Sequence, residues 1–226
     1  LYFDPVMALP PGGAPGFISL EMCYSGPQQR AEQALAPLRR LGTPDMDTIN
    51  TMDYVAVQRM NDQIDSRAVQ RLGQQAAGPP IASYLKGGFI AQMPRELISA
   101  QVDRFEGHPG RMTLLFFQHC GGASSRVADG ATAFAQRFAL ANMMTVAAWP
   151  HGAGDPTEHI EATRRYWKGL EPFTRGFYVN DLPREATAAD INANYRGNYE
   201  RLVAIKTKYD PTNLFRLNAN VQPKKA

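Results

Sequence analysis

Arg111-Met112-Thr113-Leu114-Leu115-Phe116-Phe117-Gln118-His119-Cys120-Gly121-Gly122 is the stretch around which the chain organises. A run of apolar and aromatic residues closed by a glycine pair reads as a buried strand over 111–120 followed by a turn. Working outward, residues 138–149 read as a long strand and 81–90 as another. Pro94 opens a helix running to about 106, since proline is favoured where a helix begins. Toward the amino terminus, residues 1–9 and 16–25 read as two strands joined by the Pro10-Pro11-Gly12-Gly13 turn. Ala31, Ala34, Leu35 and Leu38 recur at helical spacing within 28–41, with Gly42 as a natural cap. A short helix is expected around 53–63, and the stretch from Gly73 to Pro80 is polar and rich in breakers.

Beyond the anchor strand, a helix is expected over 155–170, a short strand over 175–180 and a closing helix over 190–209. The strands fall in pairs whose turns are too short for parallel crossovers, which need a dozen residues or more. The expectation is an α+β fold, a largely antiparallel sheet with helices packed on one face.

With 226 residues the chain can bury one sizeable core. Hydrophobic residues make up 44% and charged residues 20%, an ordinary globular composition. Net charge is +3, and the 24 Lys and Arg are scattered rather than massed, so no nucleic-acid partner is expected. No apolar run reaches the length that spans a bilayer, and the expected compartment is the cytoplasm. Cys23 and Cys120 sit in strand-like apolar settings and read as buried free thiols, with a single bridge still geometrically open. The chain starts at Leu1 in a strand-like segment, which suggests part of a longer protein.

The four histidines, His108, His119, His151 and His159, lack metal-ligand spacing, so no metal is expected. No P-loop, G-x-G-x-x-G or G-x-S-x-G occurs, which leaves the nucleotide-loop and hydrolase readings without a motif. His119 ends the anchor strand before the glycine pair. It reads either as a satisfied structural histidine or as a residue facing a substrate cavity.

The last residues, Tyr195 to Pro223, read Y-R-G-N-Y-E-R-L-V-A-I-K-T-K-Y-D-P-T-N-L-F-R-L-N-A-N-V-Q-P. Helix formers over 200–208 are stopped at Asp210-Pro211, where proline removes a donor. This string resembles the carboxyl-terminal signature of the berberine-bridge-enzyme-like flavoproteins of the vanillyl-alcohol-oxidase superfamily. Gly121-Gly122-Ala123 through Arg126-Val127 and Thr132-Ala133-Phe134 to Arg137 resembles a second family segment, at the matching distance. Gly176-Phe177-Tyr178-Val179-Asn180-Asp181 resembles the family's Y-x-N-Y/F strand, with Asp181 where the pattern has an aromatic.

The resemblance implies an FAD-dependent oxidoreductase that oxidises a hydroxyl or amine carbon of a small molecule by hydride transfer to flavin. It places Tyr178 and Asn180 against the cofactor. It also implies that residues 1–185 form a substrate-binding domain, and that the helix and tail of 186–226 pack on a flavin domain absent from this chain. Asp181 is a candidate base if burial raises its pKa, and otherwise a turn residue before Leu182-Pro183. His119 is a second catalytic candidate, while Phe116 and Gln118 are candidates for lining the substrate pocket. Alone, the chain is expected to be inactive and to expose apolar surface, so that it self-associates or rearranges its tail. A stand-alone domain that binds a ligand or a partner without redox activity is the alternative reading.

Overall fold

The computed structural model describes residues 1–59, 80–181, 186–217 and 219–224. Five strands, β1 (Tyr2–Leu9), β2 (Phe17–Cys23), β3 (Ile81–Ile90), β4 (Met112–His119) and β5 (Ala141–Pro150), form one sheet in the order β2-β1-β4-β5-β3. The β1–β2, β1–β4 and β4–β5 pairs are all antiparallel. The anchor stretch is therefore the middle strand of the sheet, and the α+β expectation holds.

Two helices cover one face: α2 (Arg95–Asp103) and α3 (Thr157–Leu170). Side chains alternate along a strand, so Leu115 and Phe117 of β4 share this face with Ala141 and Met143 of β5. They join Leu97 of α2 and Tyr166, Trp167 and Leu170 of α3 in one core. Leu97, Leu115, Met143 and Leu170 are completely buried, each worth about 1.5–3 kcal/mol of transfer free energy. Met112, Leu114 and Phe116, on the other parity of β4, are only half-buried, and Gln118 is exposed.

The chain divides into two compact units. The larger holds Tyr2–Cys23, Ala82–Trp149 and Ala153–Ala226, and with them nearly all of the sheet. The smaller holds Leu1, Tyr24–Ile81 and Pro150–Gly152. Its helix α1 (Ala31–Arg39) ends with Arg40 as its C-cap, two residues before the expected Gly42. Within it Arg39 pairs with Glu32 at 3.0 Å and with Asp47 at 2.6 Å. Residues 54–59 are helical; the rest of the helix expected over 53–63, and the breaker-rich stretch before Pro80, lie outside the described residues. Both cysteines are free, but Cys23 is exposed and Cys120 half-buried, so neither is the buried thiol expected of it.

The strand expected over 175–180 does not form. Only its approach pairs with β3: Thr174 bridges Ile90, Arg175 N–H donates to Phe89 O at 2.8 Å, and Phe89 N–H to Gly176 O at 3.3 Å. At Gly176 the backbone turns to φ +71°, and a Cβ there would lie 2.6 Å from both Asn194 Oδ1 and Gln136 Nε2. The next amide, Phe177 N–H, then donates to Asn194 Oδ1 at 2.9 Å instead of extending a ladder. A single 3-10 turn over Val179–Asp181 follows.

The closing helix expected over 190–209 is two helices, α4 (Ala188–Tyr195) and α5 (Tyr199–Tyr209). The break is held by Asn198, whose Nδ2 donates to Asp129 O at 2.7 Å and Thr132 O at 3.0 Å. Arg196 is left at φ 51°. The earlier start follows from a capping box, in which Thr187 and Asp190 satisfy each other's backbone N–H. Gly176→Ala combines a crowded Cβ with a left-handed backbone, and should cost about 2–3 kcal/mol of folding stability, read by chemical denaturation.

Candidate functional site

β4 and β5 together build the sheet face opposite the α2–α3 core, exposed at Gln118 but closed over at Asn142 and Met144, each 3% exposed. In their register Phe116 lies opposite Met144 and Gln118 opposite Asn142. All four share the parity that faces away from the α2–α3 core. β3 contributes Gly87, where a Cβ would come within 3.0 Å of Met144 Cγ, so glycine keeps this part of the face low.

Asn142 is the hub. It is 3% exposed, and its Nδ2 donates to Gln118 Oε1 at 3.2 Å and to Asp181 Oδ2 at 3.5 Å. Its Oδ1 is buried and has no hydrogen-bond partner among the described residues. A buried amide oxygen left without a donor is costly, and such groups are exceptions in folded proteins.

Asp181 reaches the hub because the Gly176 turn swings the chain back. Its own N–H donates to Tyr178 O at 2.9 Å, closing the 3-10 turn. Burial pushes the Asp181 carboxyl above the ordinary carboxylate range, and the bond from Asn142 pulls partly against that shift. The arrangement offers a proton acceptor beside two amides, over a floor formed by Phe116 and Met144. Such a face can seat a flat or apolar ligand against Phe116 and Gln118 and take a proton at Asp181.

The candidates named from sequence separate into groups. Phe116, Gln118 and Asp181 come together on this face. Tyr178 and Asn180 are exposed and bond to each other, Asn180 Nδ2 donating to the Tyr178 hydroxyl at 2.6 Å. His119 lies at the end of β4 with its ring stacked on Phe3, centroids 6.2 Å apart, and edge-on to Tyr2 at 6.3 Å. Its backbone N–H donates to Asp4 Oδ1 at 2.7 Å, and the Tyr2 hydroxyl donates to the other Asp4 oxygen. Burial, then that carboxylate, push the Tyr2 phenol up.

Asn142 was not among the sequence candidates. Its signal is a lone amide in the apolar run Ala141-Asn142-Met143-Met144, visible only once the register sets it opposite Gln118.

Residues 186–222 match the family model described as berberine and berberine like. The whole chain resembles the FAD-linked oxidoreductase YgaK of Bacillus subtilis, with 26% identity over 88% of this chain and 42% of that protein. It shares its fold with 6-hydroxy-D-nicotine oxidase from Arthrobacter nicotinovorans, at a TM-score of 0.74 and 24% identity. That match covers 99% of this chain and 48% of the other. Berberine bridge enzyme has the same fold at a TM-score of 0.75 and 18% identity, over 98% of this chain and 48% of that one. The chain thus spans about half the length of the relatives it matches. Among the described residues no helix is long and apolar enough to cross a membrane.

The raised Asp181 pKa means that the folded state binds this proton more tightly than the unfolded chain does. Its contribution favours the fold below the ordinary carboxylate pKa and is lost as pH rises through the raised value. Asp181→Asn should therefore flatten the pH dependence of stability across that window. Denaturation midpoints of both proteins, taken from acidic to neutral pH, check it.

Proposed function

We propose that this chain forms the substrate-side wall of an FAD-dependent oxidoreductase that oxidises a hydroxyl or amine carbon. The observation that carries the reading is the Gln118–Asn142–Asp181 cluster on the uncovered sheet face, with Asn142 Oδ1 lacking a donor. The kinship with FAD-linked oxidoreductases supports the cofactor. The residues also fit it: in this reading the exposed Tyr178–Asn180 pair, a hydroxyl and an amide, meets the edge of the ring. When bound, FAD supplies the two-electron acceptor for hydride.

The chain's own residues have the remaining tasks. Phe116, backed by the buried Met144, packs against the substrate and displaces water from the reacting carbon. Gln118 and Asn142 orient the polar end of the substrate. Asp181 takes the hydroxyl or amine proton, and its raised affinity for that proton brings it closer to a working base than an ordinary aspartate. Asn142 holds the carboxylate in place through its Nδ2.

Residues 1–185 then act as the substrate domain, and residues 186–226 as the strap that meets the flavin domain of the whole protein. The strap shows the surface such a contact needs: Tyr209, Leu214, Phe215 and Leu217 are all more than 70% exposed. Its shape is set by Asp210, whose carboxylate accepts from Leu214 N–H at 2.7 Å, Phe215 N–H at 3.1 Å and the Lys206 ammonium.

In the flavin-loaded protein, Asp181→Asn should slow substrate-driven flavin reduction by roughly a hundredfold or more, the usual worth of a general base. It should also remove the acidic limb of the rate–pH profile. Stopped-flow absorbance reads both. Unchanged reduction rates would remove Asp181 from the mechanism.

A further inference from the structure

The face of the sheet covered by α2 and α3 holds a cavity of about 320 Å³, remote in chemistry from the Asn142 cluster. Its lining includes three arginines, Arg111 just before β4, Arg104 at the end of α2 and Arg165 on α3, with Glu106 the one carboxylate. Arg111 is the unusual member. It is 7% exposed, and its Nε donates to Thr113 Oγ1 at 3.3 Å. Among the described residues no carboxylate lies within ion-pairing distance of it.

A guanidinium carries five donors in a fixed fork, and a buried one is ordinarily paired. Here burial is the main influence and weakens the hold of Arg111 on its proton. The charge of Glu158 opposes that shift, Arg165 adds to it and Glu106 opposes it. Glu158 is engaged elsewhere, 3.2 Å from His108 Nε2. The nearby His159 is no source of anionic charge, and burial holds its imidazole below its ordinary pKa.

The other polar groups of the cavity do not satisfy Arg111. Thr145 and Thr163 point their hydroxyl protons away, to Leu114 O at 3.0 Å and His159 O at 2.9 Å. What the cavity presents to a ligand is therefore mainly N–H, from three arginines in one lining against the single carboxylate of Glu106. That is the donor set for a carboxylate or phosphoryl group, which guanidinium binds in a bidentate manner. The volume is at the lower end for small-molecule sites, and leaves room for a small organic body beyond the anion.

We propose that this cavity is a binding site for a small oxyanionic metabolite, a phosphate ester or a carboxylate, with Arg111 at its base and Arg104 and Arg165 at its mouth. It is separate from the redox face and does not depend on the function proposed there.

The test is calorimetric titration of the purified protein with inorganic phosphate and, separately, with malonate, chloride holding the ionic strength constant. Saturable one-site binding of either probe is expected in the millimolar range or tighter, roughly. The tighter probe tells a phosphoryl from a carboxylate ligand. Arg111→Gln should weaken binding by roughly tenfold or more, the share of one charge-assisted bidentate contact. Should Arg111→Gln fail to fold, as its circular dichroism melt would show, the exposed Arg165→Gln decides, with an expected weakening of about threefold or more. No saturable binding of either probe, or equal binding by the folded variants and the parent, overturns the proposal.

Discussion

The alternation of side chains along β4 is the constraint on which the rest of this protein depends. β4 is the middle strand, paired on both sides, so its register with β1 and β5 sets the faces of the whole sheet. Leu115 and Phe117 commit one parity to the core beneath α2 and α3. The other parity, Phe116 and Gln118, is thereby committed to the uncovered face. A slip of one residue would exchange the two sets and bury Gln118. Core and candidate site are thus fixed by one choice, and neither can move without the other.

What the uncovered face does with that choice rests on two departures from regular structure. The turn at Gly176, where only glycine fits, ends the pairing with β3 and sends Asp181 back over β5. The break at Arg196–Asn198 separates Asn194, at the end of α4, from Asn198, just before α5. Asn194 accepts from Phe177 N–H and from Gln136, while Asn198 donates to the carbonyls of Asp129 and Thr132. The carboxyl-terminal helices therefore brace the very turn that carries Asp181. The segment that matches the family model and the candidate base belong to one mechanical assembly.

Much of the fold was legible in the sequence, because strands β1 to β5 carry strong apolar runs bounded by glycine and proline. The 111–120 and 81–90 strands came within a residue or two of their observed limits. The strand expected over 175–180 failed for a reason no local pattern shows, since its decisive neighbours, Gln136 and Asn194, are distant in sequence. The single helix expected over 190–209 failed likewise, because the partners of Asn198 lie some 66 to 69 residues away. Phe116, Gln118 and Asp181 were reachable through strand parity and family pattern. Asn142 was not, since an amide inside an apolar strand acquires meaning only from the residue across the ladder.

The most direct test of the shared-face reading is a crystal structure of the flavin-loaded protein with substrate or a non-reacting analogue bound. The expected result is a ligand or flavin donor within hydrogen-bond distance of Asn142 Oδ1, with the substrate hydroxyl or amine against Asp181. Density for both ligands away from the Phe116–Gln118 face, with Asn142 Oδ1 still lacking a donor, would contradict it.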